Sequence, residues 1–363
     1  MKFLLDVESI LKYTFSKKDE EIENILIDDN VLIFDYDKDG NTTHLIYLKK
    51  DGDLNYVTIK DGELNKSVIG KFDTKANSYS QISILKFKSK INIIYSYSNV
   101  INSNIYTLHH VVFSNNIEQK YTIIRYVSKK KDISFMVDCD SSGNLHLFYN
   151  TISNNFSYIY YTYFNPFSNR WLNNPIKLST SDNYSEYPSI YVDSHDNIHG
   201  SWWEKKSNDF LLRYTRMSSA GKEKFKWNEG NIPTITQEKP VFVISEEENI
   251  LIITFDKYSL KSYDFGLNWF KEEKDIVLDK PLVETLSSTS DISYNEEFVD
   301  TKPEDCIDTP DEDKINLEQI QLNQMELELL INNIMDDLLN LKSRVSTLED
   351  IKNSKSFFKK FFT

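Results

Sequence analysis

The chain is poor in the residues that staple, punctuate or span. Its 363 residues include only 2 cysteines, 9 glycines and 8 prolines. Cys139 and Cys306 stand far apart, so no disulfide framework is expected. So few glycines and prolines exclude the collagen-like and Pro-rich disordered classes. No apolar run approaches the roughly 18 residues that cross a bilayer. The opening Met1-Lys2-Phe3-Leu4-Leu5-Asp6-Val7-Glu8 breaks its apolar run with acids, unlike the core of a secretory signal. The expected residence is therefore cytoplasmic, with incorporation into a spore or surface layer as an extension of that reading. Basic excess is missing as well. Lys and Arg number 42 against 56 Asp and Glu, a formal charge of −14, which argues against a nucleic-acid partner because phosphate binding is driven by Lys and Arg. What is abundant is strand material, with 22 Tyr and 22 Phe among many Ile, Val and Thr.

That material is arranged in a repeat. An apolar alternating run, a turn of Asp, Gly, Asn or Ser, and a second run carrying an aromatic occur at Phe34-Asp35-Tyr36-Asp37 leading to His44-Leu45-Ile46-Tyr47. The unit returns at Phe135-Met136-Val137-Asp138 with Leu145-His146-Leu147-Phe148-Tyr149. It returns again at Ser189-Ile190-Tyr191-Val192-Asp193 with Ile198-His199-Gly200-Ser201-Trp202. Weaker copies surround Asn92 and Leu251. Taking His44, Asn92, His146, His199 and Leu251 as equivalent gives spacings of 48, 54, 53 and 52 residues. A period near 50 with several strands per repeat is the size of a four-stranded propeller blade. The expected fold is all-β: a β-propeller of five visible blades over residues 31–283. Residues 1–30 pack on or close it, and together with Pro281-Leu282-Val283 they supply material for a sixth blade.

Composition then changes twice. Residues 284–313 hold 11 acids and one base, Lys302, the profile of a disordered acidic linker. Residues 314–351 contain no Gly or Pro and place apolar residues at a 3.5-residue period. Leu317, Gln324, Ile331, Leu338 and Val345 fall at one seam position, and Ile320, Leu327, Ile334, Leu341 and Leu348 at the other. An α-helical coiled coil and a homo-oligomer through this helix are expected, with Gln324 setting register or strand number. Residues 352–363 form a basic aromatic tail, in which Phe357, Phe358, Lys359, Lys360, Phe361 and Phe362 suit peripheral contact with an anionic membrane, docking into a partner protein, or a frayed end. Net charge by segment is −4 for residues 1–283, −10 for the linker and 0 for the last 50 residues. Most of the acidity belongs to the linker.

The most specific local motif is Ser262-Tyr263-Asp264-Phe265-Gly266-Leu267-Asn268-Trp269, in which Ser262 and Asp264 can bond the backbone of a hairpin turn, Gly266 supplies a conformation that a side chain opposes, and Trp269 packs back on the blade. It has the form S-x-D-x-G-x-x-W and resembles the Asp-box of the sialidase-like, BNR-repeat propellers. Degenerate relatives of the turn run from Asn165 to Trp171 and from Ser219 to Trp227. The resemblance covers about residues 31–281 and implies a fold, with the Asp-box structural in role. It does not extend to sialidase chemistry. Sialidases hold a substrate carboxylate with three arginines, whereas this region has Arg125, Arg170, Arg213 and Arg216. The last two lie three apart on one strand and point to opposite faces.

Other chemistry is sparse. Glu186, Asp193 and Glu204 are the carboxylates nearest by blade position for a glycosidase pair, and a structural role is the better reading of each. His44, His146 and His199 recur in the repeat but are expected to be packed imidazoles, each bonding a neighbouring carbonyl rather than a metal. No phosphate loop, zinc-protease or hydrolase-elbow motif is present. The sequence therefore assigns no catalytic residue, no metal and no cofactor. The leading expectation is a non-enzymatic binding or scaffold protein with a protein or glycan ligand, placed in a bacterial cell or spore surface assembly by its Asn-, Lys-, Ile- and Tyr-rich usage. The alternative is a carbohydrate-active enzyme, a glycoside hydrolase on a sialidase-like fold.

Overall fold

The computed structural model describes residues 2–6, 8–15, 23–114, 117–128, 134–179, 184–207, 209–222, 224–230, 232, 235–236, 241–255 and 258–273. The chain divides into two compact units, Met1–Glu297 and Phe298–Thr363. The acidic linker, the coiled-coil seam, the basic aromatic tail, Cys306 and the Pro281-Leu282-Val283 run all lie outside the described residues.

The described residues are all-β, in six antiparallel sheets. The first sheet comprises β1 (Lys2–Leu5), β2 (Leu11–Phe15) and β3 (Glu23–Asp28). The second comprises β4 (Val31–Asp39), β5 (Thr42–Lys49), β6 (Asp53–Lys60) and β7 (Glu63–Lys71). The third comprises β8 (Asn77–Phe87), β9 (Lys90–Asn99), β10 (Ile105–Ser114) and β11 (Ile117–Val127). The fourth starts with β12 (Phe135–Cys139), β13 (Leu145–Ser153) and β14 (Phe156–Asn165), whose free side takes β15 (Arg170–Trp171) and β16 (Ile176–Lys177). The fifth repeats this with β17 (Ser185–Val192), β18 (Ile198–Lys206), β19 (Asp209–Met217), β20 (Trp227–Gly230) and β21 (Ile235–Thr236). The sixth comprises β22 (Phe242–Glu247), β23 (Ile250–Phe255), β24 (Tyr258–Ser262) and β25 (Phe270–Glu273).

The outer strand is split in the fourth and fifth sheets; in the fourth, Pro175 stands between the two halves, and proline donates no ladder hydrogen bond. Residues 1–30, readable from their apolar spacing as helix or strand, contribute the three strands of the first sheet.

Core formation follows the sheet order. One cluster joins the first and second sheets (Phe3, Leu11 and Tyr13 with Phe34, Leu45 and Tyr47), and another the second and third (Ile46 and Leu48 with Ile84 and Ile93). A third joins the third and fourth (Leu108 and Tyr126 with Phe135 and Leu147), a fourth the fourth and fifth (Phe148 and Ile159 with Ile190 and Trp202). The last joins the fifth and sixth (Trp203 and Leu212 with Phe242 and Leu251). The second strands are therefore apolar on both faces, as in the unbroken buried run from Leu145 to Asn150 in β13. First strands of successive sheets pack on one another, β4 on β8 and β12 on β17, which makes them innermost in a propeller-like arrangement.

Candidate functional site

The repeat positions sit where the second strand begins. His44, Asn92, His146, His199 and Leu251 face Asp37, Leu85, Asp138, Tyr191 and Glu246 across the hairpin. In the fourth and fifth sheets the turn forms the same chain of hydrogen bonds. Asp193 Oδ1 accepts the backbone N–H of His195 and Asn197, and its Oδ2 lies 3.0 Å from His199 Nε2, while His199 Nδ1 lies 2.7 Å from the Tyr214 hydroxyl. Asp140, Asn144, His146 and Tyr161 repeat the pattern, with 3.2 Å and 2.8 Å to the imidazole. His44 keeps the Tyr56 partner. These imidazoles bond Tyr and, in the fourth and fifth sheets, Asp rather than the neighbouring carbonyls expected, because the third strand carries a Tyr on the same face two positions from the residue paired with each of them.

Burial lowers the His199 pKa against the pull of Asp193, so the imidazole is neutral at pH 7. Burial would raise the Asp193 carboxyl, but the bonds from His199 and Asn197 outweigh it and hold the group below its ordinary range. No cluster of three or more His, Cys, Asp or Glu suited to a metal occurs among the described residues.

The motif at 262–269 closes the turn between β24 and β25. Asp264 Oδ1 accepts the Ser262 hydroxyl at 2.8 Å and the N–H of Asn268 at 2.8 Å, and the Gly266 N–H donates to Ser262 Oγ at 2.8 Å. Trp269 meets Tyr214 edge-on at 5.1 Å, so this turn leans on the Asp193–His199–Tyr214 chain of the fifth sheet. Trp171 leans on an imidazole two interfaces earlier: its Nε1 donates to His110 Nδ1 at 3.2 Å, and the other ring nitrogen of that imidazole meets Asn92. Trp227 packs on Tyr161 at 4.9 Å. The three tryptophan turns serve as joints between sheets.

The carboxylates Glu186, Asp193 and Glu204 are not brought together. Glu186 pairs with Trp203 and Ser185 with Glu204, so the two glutamates project from opposite faces of the fifth sheet. Asp193 follows the far end of β17, roughly 20 Å of extended chain away, beyond any glycosidase spacing. Glu204 instead takes Arg213 Nε at 3.0 Å and a second guanidinium nitrogen at 3.1 Å.

Sequence reasoning passed over a different group of acids, those on the innermost strands. Asp35 Oδ2 accepts the Ile84 N–H at 2.9 Å and the Ser83 hydroxyl at 3.0 Å. Asp37 Oδ2 accepts the Lys86 N–H at 2.7 Å, and Asp138 Oδ2 the Val192 N–H at 2.7 Å. Each clasps the next sheet's first strand. All three are half-buried. Burial pushes Asp35 and Asp138 up to about 6 and raises Asp37, and the charge of Asp37 raises Asp138 further. The sequence signal was an acid inside an alternating apolar strand, where charge is costly unless it has work to do.

A pH effect follows. A carboxyl whose folded pKa lies above its unfolded value of about 3.8 favours the fold fully only below pH 4, and that contribution is lost as pH rises through about 6. Asp35→Asn removes this dependence, so the stability of the unmodified protein falls relative to the variant between pH 4 and 6, by an amount of order 1 kcal/mol after solvent screening. Denaturant midpoints measured at several pH values check it. Parallel profiles refute the role given to Asp35.

No protein-family model matches the sequence, and no curated protein matches it. Solved structures do. The α-L-arabinanase of Penicillium chrysogenum complexed with arabinobiose aligns at 10% identity over 75% of this chain and 86% of its own, with a TM-score of 0.49. The α-L-arabinofuranosidase Arb93A of Fusarium graminearum aligns at 10% identity over 75% and 86%, TM-score 0.48. The fucose-binding lectin of Aleuria aurantia, a six-bladed β-propeller, aligns at 14% over 74% and 88%, TM-score 0.47. At TM-scores below 0.5 these likenesses identify no substrate and no residue role here. They do correct one expectation. The similar structures are mainly glycoside hydrolases, with a polysaccharide lyase and a lectin beside them, which stands against the non-enzymatic scaffold expectation. No helix of the described residues is long and apolar enough to cross a membrane.

Proposed function

We propose that this chain is a carbohydrate-active enzyme that cleaves glycosidic bonds on a six-bladed β-propeller of the sialidase-like, Asp-box type, with its C-terminal heptads forming an oligomerising coiled coil. The observation that carries the reading is a pair of half-buried carboxyls on innermost strands of different sheets, Asp37 on β4 and Asp138 on β12, each held by a backbone N–H of the next sheet's first strand. Glycoside cleavage needs two carboxyls with different tasks: one protonated to protonate the leaving oxygen, the other ionised to activate water or attack the anomeric carbon. Asp138, raised to about 6, suits the acid and Asp37 its partner. The absence of a three-arginine clamp directs the choice away from sialic acids and toward neutral sugars.

The test is hydrolysis of a panel of polysaccharides and aryl glycosides, arabinofuranosides and fucosides among them, by the full chain. Asp138→Asn and Asp37→Asn are each expected to lower turnover by at least ~100-fold, with circular dichroism unchanged. Absence of turnover across the panel, or turnover that both variants retain, overturns the proposal.

A further inference from the structure

Two arginines on β19 meet opposite fates. Arg213 shares a face with Met217, which packs toward the fourth sheet, and its guanidinium is satisfied by both oxygens of Glu204. Arg216 shares the other face with Tyr214, which meets Trp269 of the sixth sheet. There the side chain is partly buried, its Nε is sealed from solvent without an acceptor, and among the described residues no carboxylate pairs with it. A guanidinium taken out of water and left unpaired carries a desolvation cost that nothing offsets.

The acids at this end of the interface are committed elsewhere. Asp193 spends one oxygen on the N–H groups of His195 and Asn197 and the other on the Asn197 amide and His199. Asp264 spends its pair on Ser262, Leu267 and Asn268 within its own turn. Glu246 holds the N–H and the hydroxyl of Ser194. Arg216 lies opposite His199 on β18 and the exposed Asn228 on β20. The turn at 264–268 covers the same imidazole, since a methyl group on Gly266 would meet His199 Nδ1 at 3.0 Å. In that turn Phe265 has φ +55° and lays its ring on His195 at 4.3 Å. A bulky side chain in the left-handed region is strained, and such strain gathers at ligand clamps.

We infer that Arg216 is the receptor of an oxyanion site between the fifth and sixth sheets, taking a carboxylate or phosphate group that presents two oxygens to the guanidinium fork. The bound group supplies the countercharge that the fold withholds. This is a single-arginine site beside the 262–269 turn and not the three-arginine clamp that the chain lacks. The three committed carboxylates oppose a free anion, which keeps the affinity modest. Asp37 and Asp138 belong to other sheets, so the site does not depend on glycoside cleavage.

Thermal midpoints of the full chain in sodium phosphate and in sodium glucuronate, against sodium chloride at equal ionic strength, test this. Roughly 50 mM of the accepted oxyanion is expected to raise the midpoint by about 3 °C, and the salt that does so identifies the group as phosphate or carboxylate. Arg216→Met is expected to lose that shift. In chloride it should melt no lower than the unmodified protein, because it removes an unpaired charge and keeps an unbranched side chain. Arg170→Gln, which alters an exposed arginine, should keep the shift in full. No shift with either anion overturns the inference. A shift that Arg216→Met retains does so too, and marks general exclusion of the salt from the protein surface. A lower midpoint for Arg216→Met in chloride would give Arg216 a partner within the protein and likewise overturns it.

Discussion

Gly266→Ala is expected to cost about 3 kcal/mol or more of stability. Two independent effects combine. Gly266 has φ +84°, a conformation that side chains oppose, and a methyl group there meets the Tyr214 hydroxyl at 1.9 Å and His199 Nδ1 at 3.0 Å. Neither neighbour can withdraw, because the hydroxyl is bonded to His199 and the imidazole to Asp193. Gly62 is the control. It has a similar φ of +87° but nothing within 4 Å of an added methyl, so Gly62→Ala should cost only about 1 kcal/mol. Equal losses in chemical denaturation would show that backbone strain alone governs both sites and that the joint between the fifth and sixth sheets is softer than its hydrogen bonds indicate.

His199→Ala should be comparably damaging, by about 3–5 kcal/mol. The side chain is fully buried. Its removal opens a cavity and leaves the Tyr214 hydroxyl and one oxygen of Asp193 short of a partner in a dry interface. Loss of the imidazole should also let the Asp193 carboxyl rise toward its ordinary pKa, since burial pushes that group up and the bond from His199 does most to hold it down. A thermal midpoint unchanged to within a few degrees would place water, rather than a protein hydrogen bond, at the centre of this chain. His195→Ala, on an exposed turn, is the neutral comparison.

Much of the architecture was legible because repeats impose the same local problem again and again. The equivalence of His44, Asn92, His146, His199 and Leu251 could be read from spacing, since each opens the second strand of a sheet and the chain returns to that point about every 50 residues. The site was harder. Glu186, Asp193 and Glu204 cluster in sequence, yet strand alternation sends the two glutamates to opposite faces and strand length carries Asp193 to the far end. Asp37 and Asp138 are separated by 101 residues. No local pattern relates them, because their common place on innermost strands, each clasping the next sheet, results from the stacking of sheets.

By itself the sequence determined the all-β class, the period, the turns that need Asp, Asn or Gly, and the change of composition after residue 283. These depend on residues within a few positions of one another. Only the tertiary structure decided which carboxyls are raised, which imidazoles are buried, and which side chains clasp the next sheet. Each of those is set by desolvation and by partners on another sheet, and such contacts arise between residues some 50 or more apart in the chain.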